Sequence, residues 1–235
     1  MSVAVVVGVG PGLGSAVAAR FASEGFTVGL VARGKEKLDA VRERIAKAGG
    51  KALGVPADAT DAASVAAAFD TVRKELGDPD VLVYNAGAFT RGTVAELAPK
   101  ALEEAWRAGC FGAFLCAKQV IPAMVSRKAG TILLTGATAS LRGSAGFSAL
   151  AVQKFGLRAL SQSLARELGP QGVHVAHVVI DGMIDLPSTR QWFPDRPVET
   201  FLSPAAIAEA YWRLHAQDRT TWTQELDLRP ATEKF

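Results

Sequence analysis

Ala4-Val5-Val6-Val7-Gly8-Val9-Gly10-Pro11-Gly12-Leu13-Gly14 sits near the start of the chain, an apolar run that breaks into glycines at every second position. The run reads as a buried central strand stopped by glycine. Small and apolar residues at helical spacing over 13–24 read as the helix that follows at once. Glycine lets the backbone turn tightly and lets a pyrophosphate approach, while a helix start aims its free amides and positive dipole end at the phosphates. A glycine pattern alone is weak, but in this strand–turn–helix setting it predicts a dinucleotide site. Gly8, Gly10, Gly12, Leu13 and Gly14 are its expected contacts, the other reading being a purely structural turn.

Outward from that turn, strand and helix signals alternate. Thr27–Ala32 reads as a second buried strand, and Leu38, Val41 and Ile45 mark a surface helix over 35–48. Lys51–Pro56 is a weak third strand, and Val65, Phe69, Val72 and Leu76 a helix over 61–76 with Asp61 at its cap. A fourth strand over 80–84 ends at Asn85-Ala86-Gly87. A helix over roughly 100–125, a strand over 131–135, a helix over roughly 147–168 and a sixth strand, Val173–Ile180, follow. Ser203-Pro204 starts a helix running to about 217, and 223–228 is a last strand. Such alternation implies right-handed crossovers and a Rossmann-type doubly wound α/β sheet of about seven parallel strands with helices on both faces. No composition shift marks a second domain, so 1–235 reads as one NAD(P)-binding domain. Its least regular part is a substrate-covering loop at about 185–202, whose Trp192, Phe193 and Phe201 either face a ligand or pin the loop.

The second strand ends in Ala32-Arg33-Gly34-Lys35. A carboxylate there would repel a 2′-phosphate, whereas a guanidinium attracts one, so NADP(H) is expected over NAD, unless Arg33 is merely a solvated surface residue. Asp58, just after the third strand, reads either as an acceptor for an adenine amino group or as a turn residue. With 49% hydrophobic and 21% charged residues the chain has material for a sizeable core and none of the marks of disorder. A formal charge of +3 without a Lys/Arg block gives no case for nucleic acid. No leader is visible and no run reaches the roughly 18 apolar residues that span a bilayer, so no membrane and a cytoplasmic location are expected. Cys110 and Cys116, six apart, read as buried small hydrophobes rather than a disulfide or metal pair.

Gly8-x3-Gly12-x-Gly14, Asp58, Asn85-Ala86-Gly87 and Lys154 within Gln153-Lys154-Phe155-Gly156-Leu157 together resemble the classical short-chain dehydrogenase/reductase family over essentially the whole chain. The resemblance implies a seven-stranded parallel sheet, hydride transfer to or from NAD(P), a small-molecule substrate, and a homodimer or homotetramer built on the two long helices. It implies that Asn85, Ala86 and Gly87 line the adenosine side, with Tyr84 standing where the motif has its first asparagine. It also implies a ribose contact for Lys154, whose other reading is a surface helix lysine.

The catalytic end departs from the pattern. Counting back from Lys154 puts Leu150 at the family's tyrosine and Ala137 at its serine, and the family's helix asparagine falls on Gly109, three before Gly112. Asp181-Gly182 replaces the proline-glycine after the sixth strand, and Leu226-Asp227-Leu228-Arg229-Pro230 the usual glycine-rich end. Leucine and alanine neither give a proton nor orient a carbonyl. Thr138 and Ser140 are alternative hydrogen-bond donors, while Ser148 and Gln153 flank Leu150 but point elsewhere. Asp181, at a strand's C-terminal end, reads as binding a cationic substrate or exchanging a proton, or as capping the turn at Gly182. His174 and His177, three apart on a strand, face opposite ways and read as packing residues, and Tyr84 reaches the cleft only if its ring points up. Lys154, Asp181 and Thr138 are therefore the catalytic candidates, and no metal-ligating cluster is visible.

Three functions fit. One is an NADP-dependent oxidoreductase with a non-standard site, in which Ala137, Leu150, Phe147 and Trp192 suit a small apolar or aromatic carbonyl, imine or activated alkene. The second is a catalytically silent NADP-binding protein, acting as sensor or partner subunit. The third is a structural oligomer with a vestigial pocket, against which the intact glycine turn and Arg33 both argue.

Overall fold

The computed structural model describes residues 2–233; Lys234 and Phe235, at the end of the C-terminal segment, lie outside the described residues. Val3–Val7 (β1) is buried along its whole length. It pairs in parallel with Thr27–Ala32 (β2) on one side and Val81–Tyr84 (β4) on the other. Lys51–Pro56 (β3), Gly130–Thr135 (β5), Val173–Ile180 (β6) and Glu225–Leu228 (β9) complete a seven-stranded sheet in the order β3-β2-β1-β4-β5-β6-β9. All its pairings are parallel. This is the Rossmann-type doubly wound sheet, and its order reverses between β1 and β4, which opens a crevice at the carboxyl ends of those strands.

Side-chain alternation divides the interior in two. Val3, Val5, Val7, Leu82 and Tyr84 point into one layer, where they meet helices Ala62–Leu76 (α3), Gly112–Ser126 (α5) and Ser148–Leu168 (α6). Ala4, Val6, Val81 and Val83 point into the other, against Leu13–Ser23 (α1), Lys35–Lys47 (α2) and Pro204–His215 (α8). With both faces covered, these strands are apolar at every position, each buried valine or leucine adding roughly 1.5–3 kcal/mol. Helix starts follow their caps: Asp61 accepts from the Ser64 amide at 2.6 Å, and the Ser203 hydroxyl accepts from the Ala206 amide ahead of Pro204.

Pro99–Trp106 (α4) runs into α5 through one widened turn, Arg107–Phe111, making a continuous helix, Pro99–Ser126. By length and composition this helix is apolar enough to cross a membrane, although no uninterrupted apolar run in it reaches 18 residues. Lys118 breaks such a run without making the stretch polar on average. One side of the helix, through Ala113, Cys116, Ala117, Val120 and Met124, packs against the sheet.

The segment expected to be irregular is tied down at both ends. Met183–Ile184 (β7) pairs in parallel with Phe201–Leu202 (β8), and Pro187–Trp192 forms a short helix (α7) between them. Arg190 makes two hydrogen bonds to Asp185, at 2.7 and 3.1 Å, and its guanidinium lies 4.3 Å from the ring centre of buried Phe201. Two-residue strands carry too little periodicity to be seen in sequence.

A tight backbone constraint lies at the end of β1. Gly8 has φ +90°, and a Cβ there would stand 2.4 Å from the Ala86 amide nitrogen. Gly8→Ala is expected to cost about 3 kcal/mol or more, from backbone strain and overlap together. Urea unfolding of the variant against the parent protein measures it; a loss below 1 kcal/mol would contradict this packing.

Candidate functional site

The crevice begins with the glycine turn. The amides of Gly8 and Val9 donate to the Val31 carbonyl at 2.9 and 3.3 Å, and the Asn85 side chain donates to the Gly8 carbonyl at 3.1 Å. Gly14 packs so closely that a Cβ would lie 2.6 Å from the Gly8 carbonyl oxygen, whereas Gly10 opens into free space. No side chain caps α1, so its first amides stay available to an anion. Leu186 of the covering segment reaches this turn: a Cβ on Gly12 would meet Leu186 Cδ2 at 2.5 Å.

Arg33 is exposed at the end of β2. Asp58, half-buried, accepts from both the amide and the hydroxyl of Thr60, each at 2.8 Å on Oδ1. Its pKa is lowered chiefly by that backbone hydrogen bond, against burial, with help from the Thr60 hydroxyl and the charges of Arg33 and Arg107. The carboxylate thus already serves as a turn residue beside a cationic rim.

Asn85, Ala86 and Gly87 carry the chain from β4 across the crevice floor. Tyr84 does not reach it: its ring is fully buried, and its hydroxyl donates to the Ala108 carbonyl inside the widened helical turn. Lys154 is buried rather than on the helix surface, and its ammonium donates to the Thr135 carbonyl at 2.7 Å. Among the described residues no carboxylate lies within salt-bridge reach of it, and burial lowers its pKa to about 8. Gly109 faces Gln153, a residue that is fully buried and hydrogen-bonded to the Ala88 backbone.

Ala137 and Thr138, after β5, form the next wall, supported by two polar chains. The Ala137 amide donates to Ser140 Oγ at 3.1 Å, and Ser140 Oγ lies 3.3 Å from His177 Nε2. His177 Nδ1 meets Glu225 Oε2 at 3.0 Å, and Arg158 grips the same carboxylate with two bonds of 2.6 Å. Burial lowers the His177 pKa to about 4, so its ring is neutral at physiological pH. The carboxylate then assigns the ring proton to Nδ1 and leaves Nε2 to accept from Ser140. Burial works to raise the Glu225 pKa, but hydrogen bonds from Arg158 and His177 outweigh it. Ser140 therefore points down into the protein, away from the crevice. His174 faces the other way and stacks on Trp222 with ring centres 4.9 Å apart.

The second chain starts at Thr138, whose hydroxyl donates to Asp181 Oδ1 at 2.6 Å. Asp181 is 1% exposed, with Arg229 at 3.3 Å and Arg142 at 3.9 Å. Cations from this same chain thus already face the carboxylate that the sequence offered to a cationic substrate.

Phe147 and Leu150, at the start of α6, are half-buried. Phe147 belongs to an aromatic group with Phe89 at 6.0 Å, and Phe89 stacks on Trp192 of α7 at 5.8 Å. Sequence reasoning missed Phe89, Arg158, Glu225 and Arg229 as parts of the site, and gave Gln153 no partner. A charged residue on a short edge strand, such as Glu225, carries no local signal of a buried partner 48 positions away.

Comparison with known proteins agrees with this architecture. A family model described as short chain dehydrogenase matches residues 2–197. The chain is 30% identical over 194 residues to the 3-oxoacyl-(acyl-carrier-protein) reductase FabG of Escherichia coli, covering 83% of this chain and 78% of that one. It superposes on a short-chain dehydrogenase from Rhodopseudomonas palustris with a TM-score of 0.85 at 36% identity, covering 97% and 98% of the two chains. A metagenomic short-chain oxidoreductase in complex with NADP superposes with a TM-score of 0.86 at 30% identity, covering 99% and 98%.

Burial of Lys154 has a measurable cost. In the unfolded chain a lysine keeps its proton to about pH 10.4, while here it releases it near 8. Below pH 8 the fold holds a buried ammonium; between 8 and 10 only the unfolded chain is protonated, so stability of the cofactor-free protein rises with pH in that window. Lys154→Met is expected to abolish that rise and to stabilise the protein at pH 7 by about 2 kcal/mol, after the lost hydrogen bond. Denaturant titrations at pH 7 and 9.5 check both.

Proposed function

From membership of the short-chain dehydrogenase family, to which this chain belongs, we propose that the protein is an NADP(H)-dependent oxidoreductase that works without a tyrosine proton donor. The observation that carries the reading is Lys154: a buried ammonium on α6 whose hydrogen-bond partner is the Thr135 carbonyl at the end of β5. Structural needs alone do not favour an unpaired buried charge at the carboxyl ends of parallel strands.

The residues present fit the cofactor. The Gly8–Gly14 turn and the uncapped start of α1 would hold its pyrophosphate, and Arg33 its 2′-phosphate. Asp58, Asn85, Ala86 and Gly87 would line the adenosine side, and Lys154 the nicotinamide ribose. When bound, NADPH supplies a hydride. Lys154, with a pKa of about 8, is protonated at neutral pH and would serve as the proton donor to the substrate heteroatom, regaining its proton from water. The Thr138 hydroxyl, its one proton given to Asp181, is left as an acceptor and would hold a substrate through an N–H or O–H, such as that of a protonated imine. Ala137, Leu150 and Phe147 exclude water and favour a small apolar or aromatic carbonyl, imine or activated alkene.

One feature favours a second reading, a catalytically silent NADP-binding protein acting as sensor or partner subunit: the cations of Arg142 and Arg229 close on Asp181 and leave it no evident proton traffic. In either case we place the chain as one cytoplasmic domain with a covering segment at 185–202. Its half-exposed Trp106, Phe114, Val152 and Phe155 lie on the two long helices and suit a homodimer or homotetramer.

Titration with NADPH and NADH, then NADPH oxidation against ketones, imines and activated alkenes, decides between these readings. Turnover supports the oxidoreductase; tight binding with no turnover across the panel supports the silent protein. Arg33→Asp is expected to weaken NADPH by tenfold or more and NADH by less than threefold, and equal losses would sink the 2′-phosphate assignment. The double change Ala137→Ser, Leu150→Tyr is expected to create or raise ketone reduction by at least tenfold. No gain in a folded, cofactor-binding variant would mean that the pocket is rebuilt rather than stripped.

A further inference from the structure

We propose that Gln153 is a positioning residue of the cofactor wall: its carboxamide fills the space that Gly109 leaves beside the Pro99–Ser126 helix and pins the Ala88 peptide. The role as a cofactor wall rests on the NADP(H) reading above, whereas the pinning of the peptide does not.

Gln153 is fully buried, and both ends of its amide are spent on one residue. Its Nε2 donates to the Ala88 carbonyl at 2.6 Å, and its Oε1 accepts from the Ala88 amide at 3.2 Å. A side-chain amide here does what a neighbouring strand would do, satisfying a loop peptide that has left β4 and has no ladder partner. The pairing needs both a donor and an acceptor, which glutamine has and glutamate lacks.

Gly109 is the other half of the arrangement. Its backbone is helical, with no positive φ to demand glycine, and glycine in a helix is unfavourable against alanine. Space explains it instead: a Cβ at 109 would lie 2.0 Å from Gln153 Oε1, 2.7 Å from Cδ and 2.9 Å from Cγ. The carboxamide and any side chain at 109 exclude each other. The amide that reaches Ala88 comes from α6, into the space that the helix carrying Gly109 leaves.

The consequence reaches Lys154 through Gly87. A Cβ on Gly87 would meet Gln153 Oε1 at 3.2 Å and Lys154 Nζ at 3.6 Å. One face of that glycine is therefore shared by the neutral amide and the ammonium. Fixing Ala88 fixes Gly87, and with it the gap between crevice floor and lysine.

The experiment compares Gln153→Ala, Gly109→Asn, their combination and Gln153→Glu in the full chain. Readouts are NADPH affinity by fluorescence and hydrogen exchange at the Ala88 amide. Gln153→Ala is expected to weaken NADPH by tenfold or more and to speed exchange at Ala88 by at least tenfold. Gly109→Asn alone is expected to do no better, because its side chain meets the glutamine. The combination is expected to recover both readouts to within threefold of the parent, an amide having been returned from the other helix. Gln153→Glu, nearly isosteric, is expected to weaken NADPH comparably and to raise the pH at which Lys154 titrates. Parent-like affinity and exchange in both Gln153→Ala and Gln153→Glu would falsify the proposal, as would a folded combination no better than the single variants. Should the parent itself not bind NADPH, the cofactor reading fails, while exchange at Ala88 still decides whether Gln153 pins the peptide.

Discussion

The close approach of two backbones governs this protein: the turn after β1 and the turn after β4 meet with no room for a side chain between them. At Gly8 the Ala86 and Asn85 main chain occupies the place a Cβ would take, and the Asn85 amide group closes the contact by donating to the Gly8 carbonyl. Because β1 and β4 are the strands at which the sheet reverses its order, this contact sets the base of the crevice. The free amides of α1, the rim at Arg33 and Asp58, and the floor at Gly87 all take their positions from it.

The far wall depends on buried polar groups rather than on close packing. Ala137 is held through Ser140, His177 and Glu225, and Thr138 through Asp181 and Arg229. Both chains end on β9 or just after it, so the final strand, an edge strand with modest burial, braces the wall at Ala137 and Thr138. Charged groups taken out of water are retained only when well paired, and Glu225 meets that condition with Arg158 and His177 together.

One charged group at the centre, Lys154, is not paired in this way. Among the described residues Lys154 has the Thr135 carbonyl as its partner and no carboxylate. Burial without a counter-ion is what brings the lysine's proton affinity close to neutrality. The neutral amide of Gln153 beside it preserves that state, where a carboxylate would cancel it.

The sequence by itself determined the sheet and the cofactor end, because both rest on local patterns. Apolar runs bounded by glycine at β1 and at β4, helical stripes such as Leu38, Val41 and Ile45, and the glycine turn are each legible within a dozen residues. Only the tertiary structure decided which polar side chains face the crevice and which support it from below. Ser140 and Thr138 are two positions apart on one loop, yet one points down to His177 and the other across to Asp181. Gln153 turns toward Ala88 because Gly109, on a different helix, leaves the space. Such directions depend on distant pairs, 37 residues apart for Ser140 and His177 and 65 for Ala88 and Gln153, and a linear sequence carries no spacing rule for partners brought together only by the fold.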